Sequence, residues 1–138
     1  MKNLKPILLL EDDYVDTMAV KRAFDQLMIL NPVISFKDGN KAFEQMKNEN
    51  EQLPCLILLD LNLLDMNGLE FLKAVKSEQR LKNIPVVAMT DSNNEQDKIN
   101  SFESGIAGYI VKPNNYEKFL EAIKTIDQYW TLSKLPNR

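Results

Sequence analysis

The chain contains no histidine. That excludes a Ser-His-Asp triad, imidazole general-base catalysis, and zinc or copper centres built on imidazole. There is one cysteine, Cys55, set in an apolar run, so neither an internal disulfide nor a Cys-His pair can form. Glycine is scarce, at four residues, and neither G-x-G-x-x-G nor a P-loop is present. Long hydrophobic runs are missing as well. The longest, Cys55 to Leu59, falls far short of the roughly 20 residues that cross a membrane. No secretion leader is expected, because only Ile7 to Leu10 are apolar before Glu11. The charge balance, 17 basic against 20 acidic residues for a net −3, argues against nonspecific nucleic-acid binding. The expectation is a cytoplasmic protein with no direct contact to membrane or nucleic acid.

What is left for metal binding is carboxylate and carbonyl oxygen, which suits hard cations. The 138 residues fit one domain, residues 1–138, large enough to bury roughly two thirds of its unfolded surface without disulfides. Short apolar runs alternate with amphipathic ones. Pro6 to Leu10, Val33 to Phe36, Cys55 to Leu59, Pro85 to Met89 and Ala107 to Val111 read as strands. Several are apolar at every position, as strands covered on both faces should be.

Between the strands, helical spacing recurs. The first helix carries Val15, Met18, Ala19, Ala23, Phe24, Leu27 and Met28, with Asn31-Pro32 ending it. Ala42, Phe43 and Met46 mark a second, and Leu69, Leu72 and Val75 a third. The fourth is expected to open on a capping box of Ser92 and Glu95 and to be loosely held, with only Ile99 and Phe102 as apolar surface. The last carries Tyr116, Phe119, Leu120, Ile123, Ile126 and Trp130. Five βα units imply a parallel sheet with helices on both faces. Ligands of such sheets sit at the carboxyl ends of the strands.

The first polar groups at those ends are Glu11, Asp12 and Asp13 after the first strand, and Asp60 with Asn62 after the third. Thr90 follows the fourth strand, and Lys112 before Pro113 ends the fifth. Carboxylates about 4 Å apart repel by several kcal/mol at intermediate dielectric, so they call for a cation. Oxygen ligands without nitrogen donors suit Mg²⁺. A metal, the Lys112 ammonium and the Thr90 hydroxyl around a central carboxylate make a site for phosphoryl chemistry. Asp60 would be its nucleophile, forming an aspartyl phosphate.

The pieces Ile7-Leu8-Leu9-Leu10-Glu11-Asp12-Asp13, Leu59-Asp60-Leu61-Asn62 with Gly68, Val87-Ala88-Met89-Thr90 and Tyr109-Ile110-Val111-Lys112-Pro113 occur in this order. In this the chain resembles the receiver domain of two-component response regulators, from about Lys5 to Ile126. The resemblance implies a flavodoxin-like α/β fold, a doubly wound parallel sheet in strand order 2-1-3-4-5 with five helices. It implies that Asp60 is the phosphoacceptor and Asp12 the direct Mg²⁺ ligand, while Glu11 holds a metal-bound water. Asp60 and the Asn62 backbone carbonyl would complete the metal site. Lys112 would pair with the phosphoryl group, its bond to Pro113 being cis. Thr90 and Tyr109 would be the switch pair. Asp13 with Asp16, and Tyr129-Trp130, resemble stand-alone receivers that serve bacterial phytochrome kinases.

Three departures stand out. Leu64 replaces a usual proline, Asn67 a common aspartate, and Asp91 a usual small residue after Thr90. Other classes fit less well. A haloacid-dehalogenase-type phosphatase needs Asp-x-Asp at the nucleophile, but Asn62 occupies the second position. A flavodoxin-like FMN carrier needs a Ser/Thr/Gly-rich loop where Glu11-Asp12-Asp13 stand. An unphosphorylated interaction module would be expected to lack the aspartate or the lysine, and both are here.

The expectation is therefore a single-domain response regulator without an output domain, not an enzyme beyond its own phosphotransfer and autodephosphorylation. Its phosphodonor would be a sensor histidine kinase or phosphotransfer protein. Signalling would run through the face of the fourth helix, fifth strand and fifth helix. Residues 127–138 would extend the last helix and form a tail. Tyr129, Trp130, Leu132 and Leu135 would anchor a two-fold homodimer through that face.

Overall fold

The computed structural model describes residues 4–63 and 68–132. Elements alternate strictly: β1 (Ile7–Leu10), α1 (Tyr14–Gln26), β2 (Val33–Phe36), α2 (Gly39–Lys47), β3 (Leu56–Leu59), α3 (Gly68–Ser77), β4 (Val86–Thr90), α4 (Glu95–Glu103), β5 (Gly108–Val111) and α5 (Tyr116–Leu132). All paired strands are parallel and the order is β2-β1-β3-β4-β5. The alternation predicts a parallel sheet with helices on both faces, and this order is the doubly wound, flavodoxin-like one that the resemblance implies.

Strand side chains point alternately to the two faces. Leu8 and Leu10, Ile57 and Leu59, and Val86 and Ala88 meet α2 and α3 through Ala42, Met46, Phe71, Leu72 and Val75. The intervening Ile7 and Leu9, Leu56 and Leu58, and Met89 meet α1 and α5 through Val20, Ala23, Phe24, Phe119 and Ile123. Every residue of β1 and β3 is buried. The edge strand β2 is not, and it presents Ile34 to the surface.

Several expectations shift. α1 ends at Gln26 rather than beside Asn31-Pro32. Met28 adopts φ 58°, and the Ile29 amide donates back to the Phe24 carbonyl at 3.0 Å. A residue in the left-handed region stops the helix ladder. Val15 and Met18, expected on the core stripe, are exposed, and Val20 takes the inward position. Asn94, not Ser92, caps α4, its side chain accepting from the Asp97 amide at 3.1 Å. Ile99 and Phe102 lie outward.

Trp130, expected to anchor an interface, packs against its own core on the α1 and α5 side. The reason is length. At about 1.5 Å per residue, the 17 residues of α5 outrun the short strands and reach back over their starting ends. There Trp130 lines an apolar cavity of about 380 Å³ with Leu56, Pro85 and Gly108. Its neighbour Tyr129 is exposed. Leu64, Asn67, Leu135 and the side chain of Leu132 lie outside what is described.

Candidate functional site

The sheet register carries the polar groups to one level. Beyond the last apolar rungs the ladder continues by one residue after β1, β3 and β5. The Glu11 amide donates to the Phe36 carbonyl at 3.0 Å, the Asp60 amide to Leu10 at 3.0 Å, and the Lys112 amide to Thr90 at 2.8 Å. Each chemical group is thus fixed by a backbone bond to the neighbouring strand. α1 starts immediately afterwards, with Asp13 as its cap, accepting from the Val15 and Asp16 amides at 2.8 and 3.1 Å.

Carboxylate oxygens of Glu11, Asp12 and Asp60 lie within 4.8 Å of one another. Glu11 and Asp60 are only 3% and 7% exposed. Buried carboxylates at this spacing are costly without positive charge. The protein supplies one ammonium. Lys112 Nζ lies 2.7 Å from Glu11 Oε1, 2.6 Å from Asp16 Oδ2 and 3.4 Å from Asp60 Oδ2. Burial alone would lower the Lys112 ammonium. The hydrogen bonds to Asp16 and Glu11, with the charges of Glu11 and Asp60, outweigh it and hold the group above its ordinary value. Burial pushes the Glu11 carboxyl up to about 7, and the nearby Asp60 adds to this against the pull of Lys112. An all-oxygen, electron-rich trio with one ammonium beside it fits a hard divalent cation.

Asp60 Oδ1 accepts from the Asn62 amide at 3.1 Å. Asn62 Nδ2 reaches the Thr90 hydroxyl at 3.4 Å. Thr90 is fully buried. The Tyr109 hydroxyl donates to the Ser92 carbonyl at 2.9 Å and so ties β5 to the loop that enters α4. Glu11, Asp12, Asp60 and Lys112 therefore form the centre, Thr90 and Asn62 its wall, and Tyr109 stands one loop away.

Asp91, in its unusual place beside Thr90, is exposed. No peptide bond is cis among the described residues, so Lys112–Pro113 is trans, against the expectation. The trans form is the intrinsically preferred one, though only by about 0.5–1 kcal/mol. Two residues escape a reading based on strand ends. Asp16 makes the shortest contact to Lys112 from the first turn of α1. The backbone of Ser92 serves Tyr109 while its hydroxyl donates to Asp97 at 2.6 Å. The i, i+3 spacing from the Asp13 cap was the available signal for Asp16, since it puts the two on one side of a helix start.

Comparison with known proteins agrees with this geometry. The family described as response regulator receiver domain matches residues 7–124. The chain is 37% identical to the response regulator Rcp1 of Synechocystis sp. over 130 residues, covering 91% of this chain and 88% of that protein. The phosphorylated cyanobacterial phytochrome response regulator RcpA superposes with a TM-score of 0.90 at 34% identity, over 97% of this chain and 99% of that one. The Mn²⁺-bound form of Rcp1 superposes with a TM-score of 0.88 at 36% identity, over 96% and 99%.

Proposed function

The chain belongs to the response regulator receiver domain family, and from that premise we propose that Asp60 accepts a phosphoryl group from a sensor histidine kinase or a phosphotransfer protein. The observation that carries this is the Lys112 ammonium set against Glu11 and Asp60 beside the three-carboxylate cluster. An Asp60 carboxylate oxygen attacks phosphorus. The bond from phosphorus to the donor imidazole nitrogen breaks, and its electron pair stays on that nitrogen. Lys112 neutralises a phosphoryl oxygen, and the Asn62 amide orients the Asp60 carboxylate.

Asp12 and Asp60 would hold Mg²⁺ directly, with the Asn62 carbonyl, and Glu11 would hold it through water. The cation, when bound, offsets charge on the transferring group. Apart from this self-directed phosphotransfer and the later hydrolysis, the protein is not an enzyme. These 138 residues offer no imidazole that could serve as the donor.

Signalling follows from Thr90 and Tyr109. The Thr90 hydroxyl moves to the phosphoryl group and Tyr109 turns with the Ser92 loop, changing the face of α4, β5 and α5. The likeness to Rcp1 and RcpA supports a phytochrome-type kinase as partner. Phe102, Val111 and Tyr129 are exposed around α4, β5 and α5, which supports a two-fold dimer there, with Trp130 backing it from the core. We read residues 1–138 as one cytoplasmic receiver whose last helix runs past 127.

Acetyl phosphate with Mg²⁺ tests the central claim. The wild type should gain one base-labile, acid-stable phosphate, detected by intact mass. Asp60→Asn should gain none, and chelation should stop the reaction. Uptake by Asp60→Asn at the wild-type rate would reject the assignment.

A further inference from the structure

An ammonium has three protons to donate. In this protein all three are spent on carboxylates, and the allocation is uneven. Lys112 Nζ is 2.6 Å from Asp16 and 2.7 Å from Glu11 but 3.4 Å from Asp60. A hydrogen bond at 3.4 Å is beyond the usual range for N–H···O, so Asp60 holds the weakest claim. The two short bonds hold Nζ towards Asp16 and Glu11, so a phosphoryl oxygen on Asp60 draws the ammonium to itself only as one of these partners lets go.

The partners differ in what release would cost them. Glu11 is 3% exposed at its side chain, and leaving its charge there unpaired is expensive. Asp16 is 35% exposed at its side chain, so water can solvate it once the lysine departs. Its position is independent of the helix cap, because Asp13 performs that role.

We propose that Asp16 is a positioning residue that holds the Lys112 ammonium in a resting place and competes with the incoming phosphoryl group for it. This rests on the reading of Asp60 as phosphoacceptor. Removing the Asp16 charge leaves Lys112 free to swing to Asp60. Phosphate uptake then quickens, and a phosphoryl mimic on Asp60 binds more tightly.

The test is the rate of uptake from acetyl phosphate with saturating Mg²⁺ in the full chain, for wild type, Asp16→Asn, Lys112→Ala and the double variant. Asp16→Ser repeats the measurement with a second neutral side chain. Neutralising Asp16 should raise the rate about three- to tenfold, the scale of losing one partly buried ion-pair competitor. The gain should shrink below about twofold in the Lys112→Ala background, as expected for two residues that act through one contact. Beryllofluoride affinity should rise by a similar factor in Asp16→Asn alone.

An unchanged or slower rate in both neutral variants, at a melting temperature near wild type, would overturn the proposal. So would an equal gain in the Lys112→Ala background, which would mark a general charge effect. Wild type that takes up no phosphate, or takes it up equally after Asp60→Asn, overturns the phosphoacceptor reading itself and this inference with it.

Discussion

α3 and α4 are neighbours over one face of the sheet, and they are held in opposite ways. α3 buries Phe71, Leu72 and Val75 completely. Its first residue, Gly68, sits so near the chain that follows Asp60 that an added Cβ would lie 2.5 Å from the Leu61 Cα. α4 buries only Ser101, whose hydroxyl has no hydrogen-bond partner among the described residues. Its large apolar side chains, Ile99 and Phe102, are 46% and 54% exposed. Each large apolar side chain fully buried contributes about 1.5–3 kcal/mol, so α3 is tied to the sheet by several kcal/mol that α4 lacks. A helix with little buried surface belongs to the low end of local stability, from which moving parts are drawn. The Tyr109 bond to the Ser92 carbonyl puts the loop before this helix in contact with β5. The weakly held element is thus the one adjoining Thr90 and Tyr109, the proposed switch pair.

The largest expected effect would come from equalising the two helices. Phe71→Ala should cost about 3–5 kcal/mol, whereas the same truncation at Phe102 should cost less than about 0.5 kcal/mol. Urea titration of both variants measures this, and comparable losses would erase the contrast. Next in size is the effect of Thr90. Hydrogen exchange should show phosphorylation or beryllofluoride altering protection in α4 but not in α3. Thr90→Ala should accept phosphate yet lose that response, because a charge-assisted hydrogen bond of about 1.5–3 kcal/mol is gone. A full α4 response in the variant would remove Thr90 from the pathway.

Ser101→Ala should then tighten α4. It deletes a buried, unpartnered hydroxyl and adds a better helix former, for a gain of about 1 kcal/mol seen as a higher melting temperature. Another effect concerns charge. Glu11 titrates near 7 when folded against 4.5 as its ordinary value. Between those values the folded state binds the extra proton, so its stabilising contribution is full below 4.5 and is lost as pH rises through 7. Without divalent metal, the wild type should lose about 2 kcal/mol more than Glu11→Gln between pH 5.5 and 8, seen as a melting temperature lower by about 6 °C. Equal slopes would mean that Glu11 is ionised throughout.

Much of this was legible beforehand. Ile7 to Leu10 and Leu56 to Leu59 announce themselves as central strands because both faces are covered, and no polar residue can interrupt them. Glu11, Asp60, Thr90 and Lys112 stood out as the first polar groups after such runs. Positions that depend on three-dimensional approach did not. Asp16 meets Lys112 across 96 residues, and its spacing from the Asp13 cap marks only its place at the helix start, not that meeting. Asn94 and Ser92 each have an acid three residues on, and the chain uses Asn94 as the cap while the Ser92 hydroxyl takes Asp97. The end of α1 turned on a left-handed methionine, a conformation with no sequence signature. Trp130 looked like surface because its core partners lie at the starting ends of the strands, remote from it in sequence.

That last placement makes the indole an optical probe with a built-in separation. Trp130 is the chain's sole tryptophan. It rests beside Leu56, Pro85 and Gly108, where the strands begin, whereas the acids cluster where they finish. Direct quenching by a cation or phosphoryl group would have to act across the length of the sheet. A fluorescence change on phosphorylation would therefore register motion relayed along α5 rather than chemistry beside the dye. The protein carries its own spectroscopic readout of whether the far end hears the near one.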